Sequence, residues 1–532
     1  MDMELGKSTY PSKPDYVKDC LEQHPHTEAK YLNGRWYLYE RSSKYNKEKK
    51  RSDKKSGAYL GRILENGTLK GKCAKKVSRR LNDVVEVGMT RYLFERTSHM
   101  RECLEKYFPD IWAQIYTVSL LRAEFDGRFR RLESHYEDSV LQYLYPDVAL
   151  SKPAITGFLD DLGRRRGAIR EFMLEDVRSM DNVLLIDGHR ILSFSASVES
   201  AEFGYDSKCR HKKQINVIYV FSLGEGTGSP DYYKYFSGGT ADVSAFEDVV
   251  KELKGAGTSC TVVADKGFGS SDNYNMLEGS SLDYIIPLKR GNAYVKGRVP
   301  QTPQEYDGFF TYNGRAVHFN TYGGYEGSTI YLFRDADLYN DELNTLIKAA
   351  ERKNNARESR KANEEKRREK GAKGKLTDEE LAGLIPVSNR EMFENREEMG
   401  TITIKTNKMD LNGMQVYCMY KQRQKIEQFF KTYGETLDFE ASYMRSDYSM
   451  EAWLFLNHLS SRMAISAIEE ISSIGKAKEI SYEDLRSTLK KIKAYREETE
   501  WQVVPIKKAV ERLCTQLGFD PGDISFMING ET

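Results

Sequence analysis

Between Asn182 and Leu288 the chain carries a succession of patterns that fits a mixed sheet flanked by helices. Three apolar or alternating stretches, NVLLIDGHRILSFSAS, QINVIYVFSL and PDYYKYFSGG, follow one another with turn residues between them. Such runs predict strands, and three in succession predict an antiparallel meander. A helix is predicted next: Ser244 with Glu247 three residues on reads as a capping box, and Phe246, Val249, Val250 and Leu253 form its buried face. CTVVAD then reads as a short buried strand, SSDNYNMLEG as a helix and LDYIIPL as a fifth strand. The order is β-β-β-α-β-α-β, an α/β class.

Two carboxylates punctuate this core. Asp187 closes the apolar run VLLID and Asp265 closes TVVAD, each with a glycine one or two residues on that lets a ligand approach the backbone. Singly, such an acid is as well explained as a loop or helix cap. A third acid sits in YKQRQKIEQFFK, where a long helix from Met414 to Tyr433 is expected. On it Tyr420, Arg423, Glu427 and Lys431 share one face, while Ile426, Phe429, Phe430 and Tyr433 form the core stripe. An ion pair between Arg423 and Glu427 is the plainer alternative for that polar face.

The rest of the chain divides by composition. Net charge is only +1, from 81 Lys and Arg against 80 Asp and Glu, so the total argues for no polyanionic partner. Its distribution does, because residues 41 to 80 hold 15 Lys and Arg against Glu48, Asp53 and Glu65, an excess that suits phosphates or a solvated arm. Residues 1–80 read as a basic β-rich module with hairpin signals at Asn33-Gly34 and Asn66-Gly67, and 81–175 as helical. Residues 176–288 are the first part of the core, 289–400 a separate β-rich and charged-helix insertion, 401–475 the second part, and 476–532 a helical tail. The loop GEGTGSP (224–230) reads as a hairpin turn, since no helix or Lys-Ser/Thr follows it. AWLFLNHLSSRMAISAIEEI is nearly apolar all round, which predicts burial against the sheet or a partner.

Seven scattered cysteines form no CxxC pair or His cluster, so free thiols are expected and zinc is not. Neither a signal pattern nor about 18 consecutive apolar residues is present, which predicts a cytoplasmic protein without membrane contact.

The layout, with an insertion before the helix bearing the last acid, resembles RNase H-like DDE transposases, and more narrowly the bacterial insertion-sequence-four group. That group carries Tyr-x2-Arg-x3-Glu-x6-Lys around its last carboxylate, matched here by Tyr420, Arg423 and Glu427; the lysine position holds Gly434, with Lys431 nearby. LLIDGHR, GYDSKCRHKKQ, YFSGGTADVSAFEDVVKEL and ADKGFGS are similar to the group as well, so that the likeness covers about residues 110 to 470.

The resemblance implies an RNase H-like core with a mixed five-stranded sheet, interrupted by the β-rich insertion and preceded by basic β-rich and helical DNA-binding regions. It implies that Asp187, Asp265 and Glu427 hold two Mg2+ or Mn2+ ions. Hard oxygen donors favour these ions, and two of them roughly 3.5–4 Å apart serve both oxygens of an in-line phosphodiester displacement. The implied activity is cleavage of the ends of an insertion sequence and joining of its 3′-hydroxyls to target DNA. Tyr420, Arg423, Lys431, Lys266 and Arg190 become DNA contacts, with His189 and the cluster Arg210, His211, Lys212 and Lys213 behind them. Inserted-domain aromatics (Tyr294, Tyr306, Phe309, Phe310, Tyr312, Phe319, Tyr322, Tyr325) are candidates for base stacking or for a local core. The implied partners are terminal inverted repeats, target DNA and a second subunit in a synaptic homodimer, in a bacterial, nucleoid-associated setting. Two other readings stay open: a domesticated derivative that binds DNA with weakened catalysis, and an RNase H-like nuclease acting on other nucleic acids.

Overall fold

The three alternating runs pair as expected. In the computed structural model Val183–Ser193 lies antiparallel to Lys213–Leu223, which lies antiparallel to Gly228–Ser237. The structure describes residues 11–32, 34–46, 50–66, 68–71, 84–178, 183–204, 212–223, 228–257, 260–280, 282–323, 327–370, 375–394, 396–437, 439–497 and 500–524. Asn33, Gly67, Cys73, Cys209, Arg210, His211, Tyr325 and loop residues 224–227 lie outside them.

Residues Met1–Val84 with Tyr495–Glu500 form one unit, and Val85–Ala494 with Trp501–Thr532 the other. In the first, the helix Asp15–Gln23 precedes a four-stranded antiparallel sheet of Thr27–Leu32 (β1), Arg35–Asn46 (β2), Arg51–Ile63 (β3) and Leu69–Gly71 (β4). Its small core holds Val17, Cys20, Trp36, Leu38 and Ile63.

The second unit begins at Val85, within the short strand Val84–Glu86 (β5), and continues through helices to Arg178. Its sheet strands are Val183–Ser193 (β6), Glu202–Phe203 (β7), Lys213–Leu223 (β8), Gly228–Ser237 (β9), Thr261–Ala264 (β10) and Asp283–Pro287 (β11). They continue as Gly308–Tyr312 (β12), Arg315–Gly323 (β13), Thr329–Asp335 (β14), Thr401–Thr406 (β15) and Ala441–Ser442 (β16). The order β9-β8-β6-β10-β11 runs through the core, with β10 parallel to both β6 and β11. Helices Asp242–Gly255 and Ser271–Gly279 make the connections.

The strands of 289–400 do not form a separate sheet. β15 pairs antiparallel with β11 on one side and β14 on the other, so β14, β13 and β12 extend the same sheet. The charged stretch is an exposed helix of 34 residues, Ala336–Glu369, in which only Glu364 is buried. The nearly apolar segment becomes the buried helix Asp447–Ser473, packed against the helices Trp112–Glu124 and Lys152–Arg164 and against β9. At Gly163 the approach is so close that a methyl group would meet the Tyr448 carbonyl oxygen at 1.8 Å. The described cysteines are free thiols, as expected.

Two local expectations are corrected. The helix predicted to be capped by Ser244 starts at Asp242, after Ala241. Arg190 and Asn216 both donate to the Asp242 carboxylate, at 2.6 and 2.8 Å, and fix the first turn there. The single helix from Met414 to Tyr433 is two, Gly413–Lys421 and Gln424–Lys431, followed by a wider turn at Thr432–Thr436. Between them the bonds tighten to a three-residue step, Arg423 N–H to the Tyr420 carbonyl at 3.1 Å and Ile426 N–H to that of Arg423 at 2.9 Å. Tyr420 and Arg423 therefore do not continue the helical face of Glu427 and Lys431.

Candidate active site

Asp187 does not end its strand, because β6 continues to Ser193. What ends there is the neighbour. The parallel register between β10 and β6 closes at Ala264 opposite Ile186, so Asp187 is the next residue along β6 and Asp265 the first beyond β10. Farther along the same edge, β16 takes over at Leu192 and Ser193. Among the described residues, 187 to 191 thus face a gap in the ladder, the position where a parallel sheet opens a crevice beyond its strand ends.

On its other side Asp187 is in register with Tyr219 of β8. The Tyr219 ring lies 5.3 Å from Phe429 and 5.7 Å from Phe430, and His189 stacks on Phe430 at 4.4 Å. The predicted apolar stripe thus seats the Gln424–Lys431 helix over β6 and β8 at the level of Asp187. Ile426, Phe429 and Tyr433 are buried, and burial pushes the His189 imidazole down to about 4. This ring serves the packing of that helix rather than a DNA-facing surface.

Arg423 joins the two aspartates. Its Nη1 donates to Asp265 Oδ1 at 2.8 Å, and its Nε lies 3.6 Å from Asp187 Oδ2. Asp187 Oδ1 also accepts the Gly188 N–H at 2.9 Å. Burial raises the Asp187 carboxyl to about 6, with the Asp265 charge adding to the effect and Arg423 and the Gly188 N–H opposing it. Burial works against the Arg423 charge, yet Asp187 and Asp265 hold its pKa above the usual value, with Tyr420 contributing. Tyr420 is itself raised by burial, with Asp265 and Asp187 adding to the rise and Arg423 opposing it. The alternative pairing of Arg423 with Glu427 is not the one adopted.

Glu427 is exposed on its helix, and no group of three or more Asp, Glu, His or Cys side chains stands at metal-holding spacing among the described residues. Lys431 is exposed on the same helix and Lys266 on the turn after Asp265. Arg190 is turned inward, donating to the Gly238 carbonyl at 2.9 Å and pairing with Asp242. The position of the signature lysine, Gly434, is buried under Glu440, whose Oε1 would lie 2.3 Å from an added methyl.

In the inserted segment Phe310, Tyr312, Phe319 and Phe333 pack with Tyr417 as a local core, and Phe309 is exposed. Sequence patterning did not single out the node at its base. Buried Asp335 accepts both Arg315 Nε at 2.8 Å and Nη2 at 3.0 Å, the Tyr417 hydroxyl at 2.5 Å and the Asp337 N–H at 3.0 Å. An acid just before a predicted charged helix was its one signal, as a cap.

A mixed sheet with two adjacent aspartates where its parallel pairing stops, under a helix carrying a third acid, defines a carboxylate-bearing α/β enzyme core. Residues 178–463, more than half of the chain, match the family model described as transposase DDE domain, and the chain belongs to that family of DNA-processing transposition and recombination enzymes. No curated protein matches the chain. No described helix is long and apolar enough to cross a membrane.

Proposed function

We propose that the chain cuts the ends of a mobile DNA element and joins their 3′-hydroxyls to target DNA, with Asp187, Asp265 and Glu427 as the catalytic carboxylates. The observation that carries this reading is the placement of Asp187 and Asp265 side by side where the β6–β10 pairing ends. The core order β9-β8-β6-β10-β11 supports an RNase H-like fold of the kind found in the insertion-sequence-four group. Two carboxylates sharing one guanidinium keep a net negative charge that suits a divalent cation, and oxygen donors select Mg2+ or Mn2+. Glu427 would complete the ligand set from the adjoining helix. When bound, a pair of such ions supplies an activated water or 3′-hydroxyl and stabilises the leaving oxygen.

The protein's own groups do the rest. Asp187, held by the Gly188 N–H, and Asp265, at the start of its turn, fix the donor oxygens on a rigid sheet. The gap along β6 admits the scissile phosphate, and Arg423, Tyr420, Lys266 and Lys431 lie on elements bordering it. The basic four-stranded sheet and the helical region before the core would grip the terminal repeats, in a homodimer that synapses two ends.

The test is Mg2+-dependent nicking of a duplex carrying the inverted repeat that flanks the coding sequence. Asp187→Ala, Asp265→Ala and Glu427→Ala are each expected to abolish it, as is chelation of the metal. Full activity in any of the three removes that residue from the catalytic set. Nothing among the described residues favours a non-cleaving derivative or an RNA–DNA nuclease.

A further inference from the structure

We propose that Arg423 is an internal counterion that occupies the cation position between Asp187 and Asp265 and is handed over to a DNA phosphate when metal enters. The inference rests on the reading of these two aspartates as metal-binding.

Three observations carry it. First, both described ion pairs of the aspartates go to this one guanidinium. Two carboxylates and one guanidinium leave a net negative charge, which a monovalent group cannot cancel and a divalent ion can. Second, the attachment is lopsided. Nη1 makes a full hydrogen bond to Asp265, whereas buried Nε, 3.6 Å from Asp187, makes none. A planar fork able to bind a carboxylate or a phosphate through two parallel bonds is here using only one. Third, Arg423 sits in the tight step between two helices rather than inside one. A change of backbone angle at such a step swings the side chain without unwinding either helix.

A metal ion and the guanidinium cannot share the space between the same oxygens. Metal entry therefore requires Arg423 to leave Asp265, and a guanidinium released inside a negative crevice needs an anion. The DNA phosphate that enters the crevice is that anion. Metal affinity and DNA affinity are then coupled, each raising the other by the same factor. The free protein holds metal weakly, and the DNA-bound protein holds it tightly.

The experiment measures Mn2+ binding to the full chain by the electron paramagnetic resonance signal of free Mn2+, with and without the flanking-repeat duplex. Wild type, R423Q, R423M and D187N are compared, with circular dichroism reporting the fold; R423M keeps the packed stem should R423Q fail to fold. Loss of the competing charge is expected to tighten Mn2+ binding to the DNA-free protein roughly tenfold. The further gain that DNA gives wild type is expected to shrink in both variants. Mn2+ binding in R423Q and R423M no tighter than in wild type, with D187N still abolishing it, overturns the counterion role alone. Binding that D187N leaves untouched overturns the metal-site reading as well.

Discussion

A carboxylate with no solvent around it depends on what replaces the water, and Asp335 shows how far that dependence can go. It is 1% exposed and accepts two bonds from Arg315, one from Tyr417 and one from a backbone N–H. Those donors offset its burial and hold its pKa far below the ordinary range. A depressed folded pKa contributes stability above the unfolded value, about 4, that is lost as pH falls toward the folded one. Asp335→Asn is therefore expected to cost about 3 kcal/mol at pH 7, with the deficit shrinking in acid; urea melts at neutral and acidic pH would measure it. At this scale the sequence makes legible what lies in a residue's own stretch of chain. The apolar runs before Asp187 and Asp265 marked both. Arg423 was not legible in that way, because its partners are two aspartates distant in the chain and the helix break beside it has neither glycine nor proline.

Elements meet through small contacts that patterning does not reveal. The strands and helices of 182–288 were legible because each carries its own period, two or near 3.6. The fate of β12 to β14 was not, because their place in the sheet depends on β15, delivered only at Thr401. Nor did helical spacing show which helices would bury Asp447–Ser473. Gly163 is the residue that lets Lys152–Arg164 approach it, with the Tyr448 backbone where a β-carbon would stand. Gly163→Ala must push backbone from backbone, since no flexible side chain is there to yield. A loss of about 3 kcal/mol is expected, read as a lower melting temperature; an unchanged one would mean the helices can slide apart freely.

The whole molecule comprises two units with separate apolar cores, and the basic excess of residues 41 to 80 lies in the smaller. Deleting residues 1–83 is expected to leave the larger unit folded while weakening DNA binding. The slope of log affinity against log salt should flatten as phosphate contacts are lost, measurable by fluorescence anisotropy; an unchanged slope would take the small unit off the DNA. The match to transposases begins at residue 178 and so leaves this unit uncovered, which is why its role rests on charge alone.

Strands β14 and β15 are direct neighbours, Arg334 opposite Thr401, with the Asp335 N–H donating to the Gly400 carbonyl at 3.0 Å. Yet the chain between them leaves the sheet for the whole of Ala336–Glu369 before it returns. Geometrically the excursion departs and arrives at one point, as a side road does. Its length is therefore invisible to the sheet, and a foreign domain spliced into its far end, a fluorescent reporter for instance, would travel with the protein without bending a strand.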